Sequence, residues 1–445
     1  MARADVGVIG AGLAGMVAAI SVAEAGATVQ VLAAGHATTH WAAGCVDVGA
    51  TPGARTSRDA LSQLAGLDGH PYRILAAGLA ADLGWLRAVL AEEGLLLVGD
   101  LDDPLRPIPT AIGATRRAAI VPDGMSAALQ PWSGDEVLVV CGPAGFRDFW
   151  PAAIAAGLRR PGSWRGSPGP GRVEALSVEL PGLSGRHNLS GLDLAGQFDD
   201  PTWRSVALDS IGRAVDERWR HLGRPAAGRL ALPAVLGLRD HPAALAEARA
   251  RLPLAPFEVG LVPPSVPGLR LFAALRSALR RRGGRLLIGE PAHGLIDGDG
   301  RLSEVRVPAA SREFVLSAGA FILATGGIAG GGIVADRPAS LVEAVLGLPV
   351  EGPVGEPWLR VDPFDPAGHP LELAGIRTDE ALRPTGPRRS GPGPAPTVVA
   401  GNVRVAGSLL AGQRYLRERC GDGVALASGR LAAAGSVATA GSPAG

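Results

Sequence analysis

The stretch "VGVIGAGLAGMVAAISVAEAGATVQVLAAGH", Val6 to His36, constrains this 445-residue chain more than any other. An apolar run of strand length meets Gly10-Ala11-Gly12-Leu13-Ala14-Gly15, an Ala-rich helical run follows, and a second apolar strand covers Thr28 to Leu32. In a β-α-β unit of this form Gly10 permits the tight turn, Gly12 lets the backbone approach a phosphate, and Gly15 lets helix and strand pack closely. The ligand's negative charge then rests on the helix N-terminus, where Leu13 and Ala14 join the residues facing it. Such a unit ordinarily carries a carboxylate about twenty residues further on, which takes a ribose hydroxyl. Here that place holds Ala33, Ala34 and Gly35, so the ligand wants the glycines but not the acid.

Forty-three basic residues stand against forty-two acidic ones, which leaves no basic stripe for nucleic acid or anionic lipid. The chain has no lysine, and its arginines are scattered. Cys45, Cys141 and Cys420 lie far apart, and the eight histidines show no ligand spacing. No disulfide framework, zinc site or iron–sulfur site is therefore expected, and the metal expectation is none. The first strand begins within a few residues of Met1, which predicts a cytoplasmic protein without a signal peptide. An uncharged run, Ser317 to Ala335, has the length of a membrane span, but its six glycines read as a buried strand and a phosphate-type loop. A nucleophile elbow and a Walker loop are both missing from the sequence.

Further along, alanines and leucines recur at helical spacing from about Ile74 to Gly94. The strand Glu136 to Cys141 runs into Gly142 and Gly145 and then a helix; without a third glycine, and with Pro143 in the turn, this reads as packing rather than a second nucleotide fold. Arg159 to Arg172 and Arg383 to Pro396 are Pro/Gly-rich loops. An amphipathic helix from Gly268 stops at two glycines. A hairpin with turns at Asp297-Gly298 and Asp299-Gly300 follows, and "EFVLSAGAFILATGG" reads as another hairpin-like pair. The last element is a strand within "NVRVAGSLLAG" leading to a helix opened by Gly421-Asp422-Gly423.

Three glycine clusters carry the functional reading. A strand followed by Ala324-Thr325-Gly326 recurs in flavoproteins of the glutathione-reductase fold, where it packs near the opening cluster; the plainer alternative is a turn closing a hairpin. Gly421, Asp422 and Gly423 offer amides and a helix dipole to an electron-rich atom such as a flavin pyrimidine carbonyl, or else Asp422 is an ordinary N-cap. Together the clusters favour flavin over nicotinamide. The expected fold is α/β, a discontinuous Rossmann-like FAD/NAD(P)-binding domain of glutathione-reductase type with an inserted capping domain. Residues 1–60, 266–330 and 397–445 form the flavin domain, 61–265 the insertion, and 331–396 a second capping segment.

The motifs "GAGLAG", "PPSVPGLRL", "ILATGGIAGGGIVADR", "EAVLGLPV", "GIRTDEALRP" and "NVRVAGSLLAG…ERCGDGVALASG" resemble, in order and over nearly the whole chain, the B subunits of anaerobic glycerol-3-phosphate dehydrogenases. The resemblance implies a flavoprotein subunit, assigned FMN, working beside an FAD-bearing A-type catalytic subunit and a membrane-associated iron–sulfur C-type subunit. Electrons would pass from glycerol 3-phosphate to quinone, with the complex on the inner face of the cytoplasmic membrane. The chain departs from that family's Gly-Tyr-Asp-Pro-like turn at Gly412-Gln413-Arg414-Tyr415-Leu416, so contacts of that turn are not carried over.

FMN also answers the missing acid on physical grounds. It ends at one phosphate and has no adenosine ribose, so a carboxylate at Ala33 would only repel it. FAD stays open, because a backbone carbonyl or water can take a ribose hydroxyl. The segment Thr38 to Val48 is expected along the flavin, with His40 and Gly44 in contact and His40 and Cys45 as covalent-linkage candidates. Gly407 joins the cofactor set from the last strand. Arg186 and His187 suit a phosphate-bearing alcohol and its proton, or a solvated turn. The rival functions are a stand-alone FAD-dependent dehydrogenase of another small alcohol or acid, and a structural subunit of the same complex without redox chemistry.

Overall fold

The computed structural model describes residues 2–186, 188–308, 313–336, 340–353, 357–386 and 397–441. The chain forms two compact units, one of Met1–Thr39, Asp47–Glu93 and Ala274–Gly445, the other of His40–Val46 and Gly94–Ala273. Residues 61–93 and the described part of 331–396, expected outside the flavin domain, lie in the first unit.

The first unit is built on a seven-stranded sheet in the order Arg285–Ile288, Val29–Ala33, Ala2–Ile9, Phe314–Leu323, Leu302–Val307, His293–Ile296, with Val403–Val405 also paired to Phe314–Leu323. The pairs among the first four strands, and the pair with Val403–Val405, are parallel. The strand Leu302–Val307 is antiparallel to both its neighbours. The central strands read as continuous apolar runs because helices cover the sheet: Leu13–Glu24 buries Met16, Val17 and Ile20, and Gly421–Ala440 buries Val424, Leu426 and Ala433. This is the α/β architecture expected.

Two expectations are corrected here. "EFVLSAGAFILATGG" is not a hairpin pair but one ten-residue strand, Phe314–Leu323. Gly319 in its middle looks like a turn residue, yet its missing side chain serves an approach by the last helix: a Cβ there would lie 3.3 Å from Ala440 Cα. The alternative in which Ala324-Thr325-Gly326 merely closes a hairpin falls with it. The apolar run 317–335 is thus strand and loop. Among the described residues one helical run, Tyr72–Ala91, is long and apolar enough to cross a membrane. Its Tyr72, Leu75, Leu79, Leu83 and Leu86 are buried in the first unit.

The second unit holds a four-stranded, all-parallel sheet in the order Ala255–Val259, Gly228–Pro233, Val137–Pro143, Arg172–Val178. In chain order this is 2-1-3-4 read from the opposite edge, which puts a topological switch point between Val137–Pro143 and Gly228–Pro233. A doubly wound sheet would take a nucleotide there. Instead the strand ends are closed by Cys141, Val178, Phe198 and Leu232 around a cavity of about 10 Å3. A side chain at Gly142 would meet Phe149 at 2.7 Å, so this glycine serves packing.

Candidate functional site

At the C-terminal edge of the first unit's sheet, parallel pairing brings three distant loops together. Ala324 donates its amide to the Ile9 carbonyl (2.8 Å) and Ala406 donates to Leu323 (3.0 Å). The opening glycine cluster, Ala324-Thr325-Gly326 and Gly407 therefore leave neighbouring strands side by side, where ligands of α/β sheets bind.

The glycines of the opening cluster divide by task. Gly10 has φ +107°, and a Cβ there would strike the Ala324 carbonyl. A Cβ at Gly15 would strike the Gly10 carbonyl. Both glycines serve close packing. Gly12 is different: its backbone is ordinary extended chain, and the nearest atom to a Cβ is Ala37 Cβ at 3.6 Å. The open space lies at the N-terminus of Leu13–Glu24, a helix with no side-chain cap and no acid in its first turn. Uncapped amides and the helix dipole make this a place for an anion. Ala34, Gly35 and His36, past the second strand, are exposed, and none offers a carboxylate.

The adjoining loops fit the same occupant. Thr325 keeps a buried hydroxyl without a hydrogen-bond partner, an orphan that a ligand would satisfy. Gly326 and Gly407 hold φ of +82° and +74°. Ser408 Oγ accepts the Gly327 amide (3.0 Å), and buried Ser428 Oγ accepts the Gly407 amide (2.9 Å), which fixes the two loops. These two serines went unnoticed in the sequence because their partners are remote.

The third cluster is wired otherwise than expected. The N-cap of Gly421–Ala440 is Cys420, and Asp422 is not a cap: its carboxylate accepts the Asp47 amide (2.9 Å). Gly423 donates to the Asp47 carbonyl (3.0 Å), so its amide is not free for a ligand. Asp47 and the last helix are thus stapled together at both backbone polar groups. A side chain at Gly423 would strike Tyr72, whose buried hydroxyl donates to Val48 O (2.6 Å). Burial pushes the Tyr72 hydroxyl well above its usual range, so it stays a neutral donor.

Beside it His70, Glu418 and Cys420 cluster tightly enough to suggest a metal site. The same atoms also hydrogen-bond one another. His70 Nδ1 accepts the Tyr72 amide (3.1 Å), which leaves the proton on Nε2, 3.3 Å from Glu418 Oε2. Arg414 N and Cys420 Sγ also donate to Glu418 Oε2, at 2.7 and 3.5 Å. Burial pushes the Cys420 thiol well up, so it remains protonated. The trio anchors the turn that leads into the last helix.

The remaining candidates lie in the second unit. His40 is half-buried, its carbonyl accepts from Ser265 N (2.8 Å), and its ring packs edge-on to Phe272 at 4.7 Å. Cys45 is buried in the apolar core. Gly44 has φ +87°, and a Cβ there would meet Pro267 at 2.6 Å, a steric reason for glycine. Arg186 is exposed on a turn closed by its amide and the Leu183 carbonyl (3.1 Å). His187 lies outside the described residues.

The FAD binding domain family matches residues 5–410. The B subunit of a probable anaerobic glycerol-3-phosphate dehydrogenase from Halobacterium salinarum is 33% identical, covering 97% of each chain. Its counterpart from Vibrio vulnificus is 27% identical over 96% of this chain and 95% of its own. Among solved structures, the open conformation of a flavocytochrome c3 fumarate reductase covers 99% of this chain and 79% of its own at 10% identity and a TM-score of 0.43. With the glycine loops gathered at one sheet edge and likeness running the length of the chain, this protein belongs to the FAD binding domain family, in the group of anaerobic glycerol-3-phosphate dehydrogenase B subunits.

Proposed function

We propose that this chain is the flavin-bearing subunit of a glycerol-3-phosphate:quinone oxidoreductase, taking part in oxidation of glycerol 3-phosphate to dihydroxyacetone phosphate within a complex. The observation that carries a flavin role is the open cradle at Gly12 beside the unpaired Thr325 hydroxyl. The substrate follows the name of the relatives. Gly12, Leu13 and Ala14 would hold a phosphate on the helix N-terminus, with Thr325, Gly326 and Gly407 beside it. The Asp47–Asp422 staple holds the positive end of the last helix in place. A bound flavin supplies two-electron oxidation of an alcohol and passes the electrons on singly or in pairs.

Three separated, buried cysteines give the chain no iron–sulfur set of its own, so onward transfer falls to an A-type flavoprotein and a C-type iron–sulfur partner. Those partners would also hold it at the inner face of the cytoplasmic membrane. The isolated chain is accordingly expected to be reduced poorly by glycerol 3-phosphate, and to gain quinone-linked activity with its partners. Anaerobic flavin absorbance, read with and without the A-type partner, checks this. Rapid bleaching of the isolated chain would make it a dehydrogenase in its own right; no bleaching even with the partner would favour a non-redox subunit.

Within the flavin class we propose FMN, because no carboxylate stands at Ala33, Ala34 or Gly35 to meet an adenosine ribose. FAD is the second reading, favoured by the family's description. Denatured protein is expected to release free FMN on chromatography. FAD as the main species would refute the ribose argument, and colour kept by the precipitate would point to a covalent link.

A further inference from the structure

We propose that the loop 357–369 in the first unit is a preformed knob by which this chain docks into an apolar socket, rimmed by a basic group, on another protein of the complex. The inference rests on the complex-subunit reading above. Leu359, Val361 and Phe364 are 60%, 105% and 87% exposed, a concentration of large apolar side chains that a soluble surface rarely holds out to water.

The loop is not a floppy one whose side chains happen to point outward. Leu371 N donates to Trp358 O (3.1 Å), and Arg360 Nε donates to Gly368 O (2.8 Å), closing its base. His369 Nδ1 accepts Arg360 N (3.0 Å), so its Nε2 carries the hydrogen it gives to Pro363 O (3.1 Å). Asp362 and Asp365 carboxylates accept the Phe364 and Ala367 amides, each at 2.8 Å. Pro363, Pro366 and Pro370 restrict the backbone further. The backbone polar groups are largely satisfied within the loop while the apolar side chains are not, an arrangement that lowers the ordering cost of binding.

Charge selects the occupant. Exposed Arg360 pairs with Asp365 at 3.8 Å, and exposed Asp362, between Val361 and Phe364, leaves the apolar tip with a net negative charge. An anionic bilayer surface repels it. A protein socket with an arginine or lysine at its rim accepts both the side chains and the charge.

The test co-expresses the full chain with the A-type and C-type partners from the same source and measures co-elution. Wild type is expected to co-elute, and the double variant Val361→Ser, Phe364→Ser to lose about tenfold or more of the assembled fraction, as removal of two apolar anchors implies. Asp362→Arg is expected to weaken assembly as well. All variants should keep wild-type flavin content and melting temperature, since these side chains face solvent. Assembly of the double variant at the wild-type level overturns the inference while leaving the complex-subunit reading intact. Failure of wild type to assemble overturns that reading and the inference with it. Wild type that pellets with phosphatidylglycerol vesicles, or self-associates in sedimentation, through Val361 and Phe364 instead would put a membrane or a second copy in the partner's place, and so overturn the proposal.

Discussion

Gly12→Glu is expected to give a folded, colourless protein. The fold has room for the change: Gly12 has φ −70° and ψ −178°, an extended conformation any residue adopts, and a Cβ meets nothing nearer than 3.6 Å. A carboxylate at this N-cap would itself complement the helix dipole, so the melting temperature of the flavin-free protein should stay level or rise slightly. The same carboxylate would occupy and repel the phosphate position, and bound flavin should fall from near stoichiometric to undetectable in visible absorbance. Arg55→Glu, at an exposed position, serves as the control and should retain colour. Gly15→Val, whose Cβ would strike the Gly10 carbonyl, should instead fail to fold. Full flavin occupancy in folded Gly12→Glu would move the ligand off this loop.

The second large effect concerns the second unit. Glu258 is fully buried, and Arg270 grips it with two hydrogen bonds of 2.6 and 3.0 Å while donating Nε to Gly237 O (2.8 Å). Arg270→Met removes one member of this pair and should cost about 3–5 kcal/mol, because an uncompensated charge is left in the core. The double variant with Glu258→Leu should recover part of that loss, since it removes the uncompensated charge and leaves only the Leu236 amide and the Gly237 carbonyl without their partners. Denaturant titration followed by tryptophan fluorescence checks both; a small effect of Arg270→Met alone would mean that water reaches the carboxylate. Acid probes the same cluster. Burial alone would raise Glu258, but the charges of Arg270 and His241 and the hydrogen bonds outweigh it, and its carboxyl titrates below the ordinary 4.5. Burial holds His241 below the ordinary 6.5 despite Glu258. In both cases the unfolded chain binds the proton more readily, so stability is present above the ordinary value and declines as pH falls. The decline should begin below 6.5 through His241 and steepen below 4.5 through Glu258.

The parts of this structure legible in the sequence are those that local chemistry dictates. The opening strand, glycine loop and helix follow from periodicity within thirty or so residues. The Asp297–Gly300 turn follows from residues that form it. What escaped reading depended on remote neighbours. Gly319 resembled a turn because nothing nearby announces Ala440 against it. Asp422 suited an N-cap locally, and only the fold brings Asp47 to its carboxylate. His70 and Cys420 lie too far apart in sequence for any spacing rule to join them. The second parallel sheet was masked by an incomplete glycine pattern, because its strand ends are filled by phenylalanine rather than left open for a nucleotide.

The pairing of Val6 with Ala320 has a consequence for synthesis on the ribosome. The second unit's sheet needs only strands between Val137 and Val259, so it can close while the remainder is still being translated. The first unit cannot. Its opening strand emerges first but gains its central neighbour only with Phe314–Leu323, and the helix Gly421–Ala440 that covers the sheet is nearly the last element made. Throughout that interval an apolar strand edge stands open to other nascent chains. A premature stop between Ala273 and Val403 would leave a finished second unit attached to an unclosed, aggregation-prone sheet, with the Gly407 side of the cofactor cradle never made.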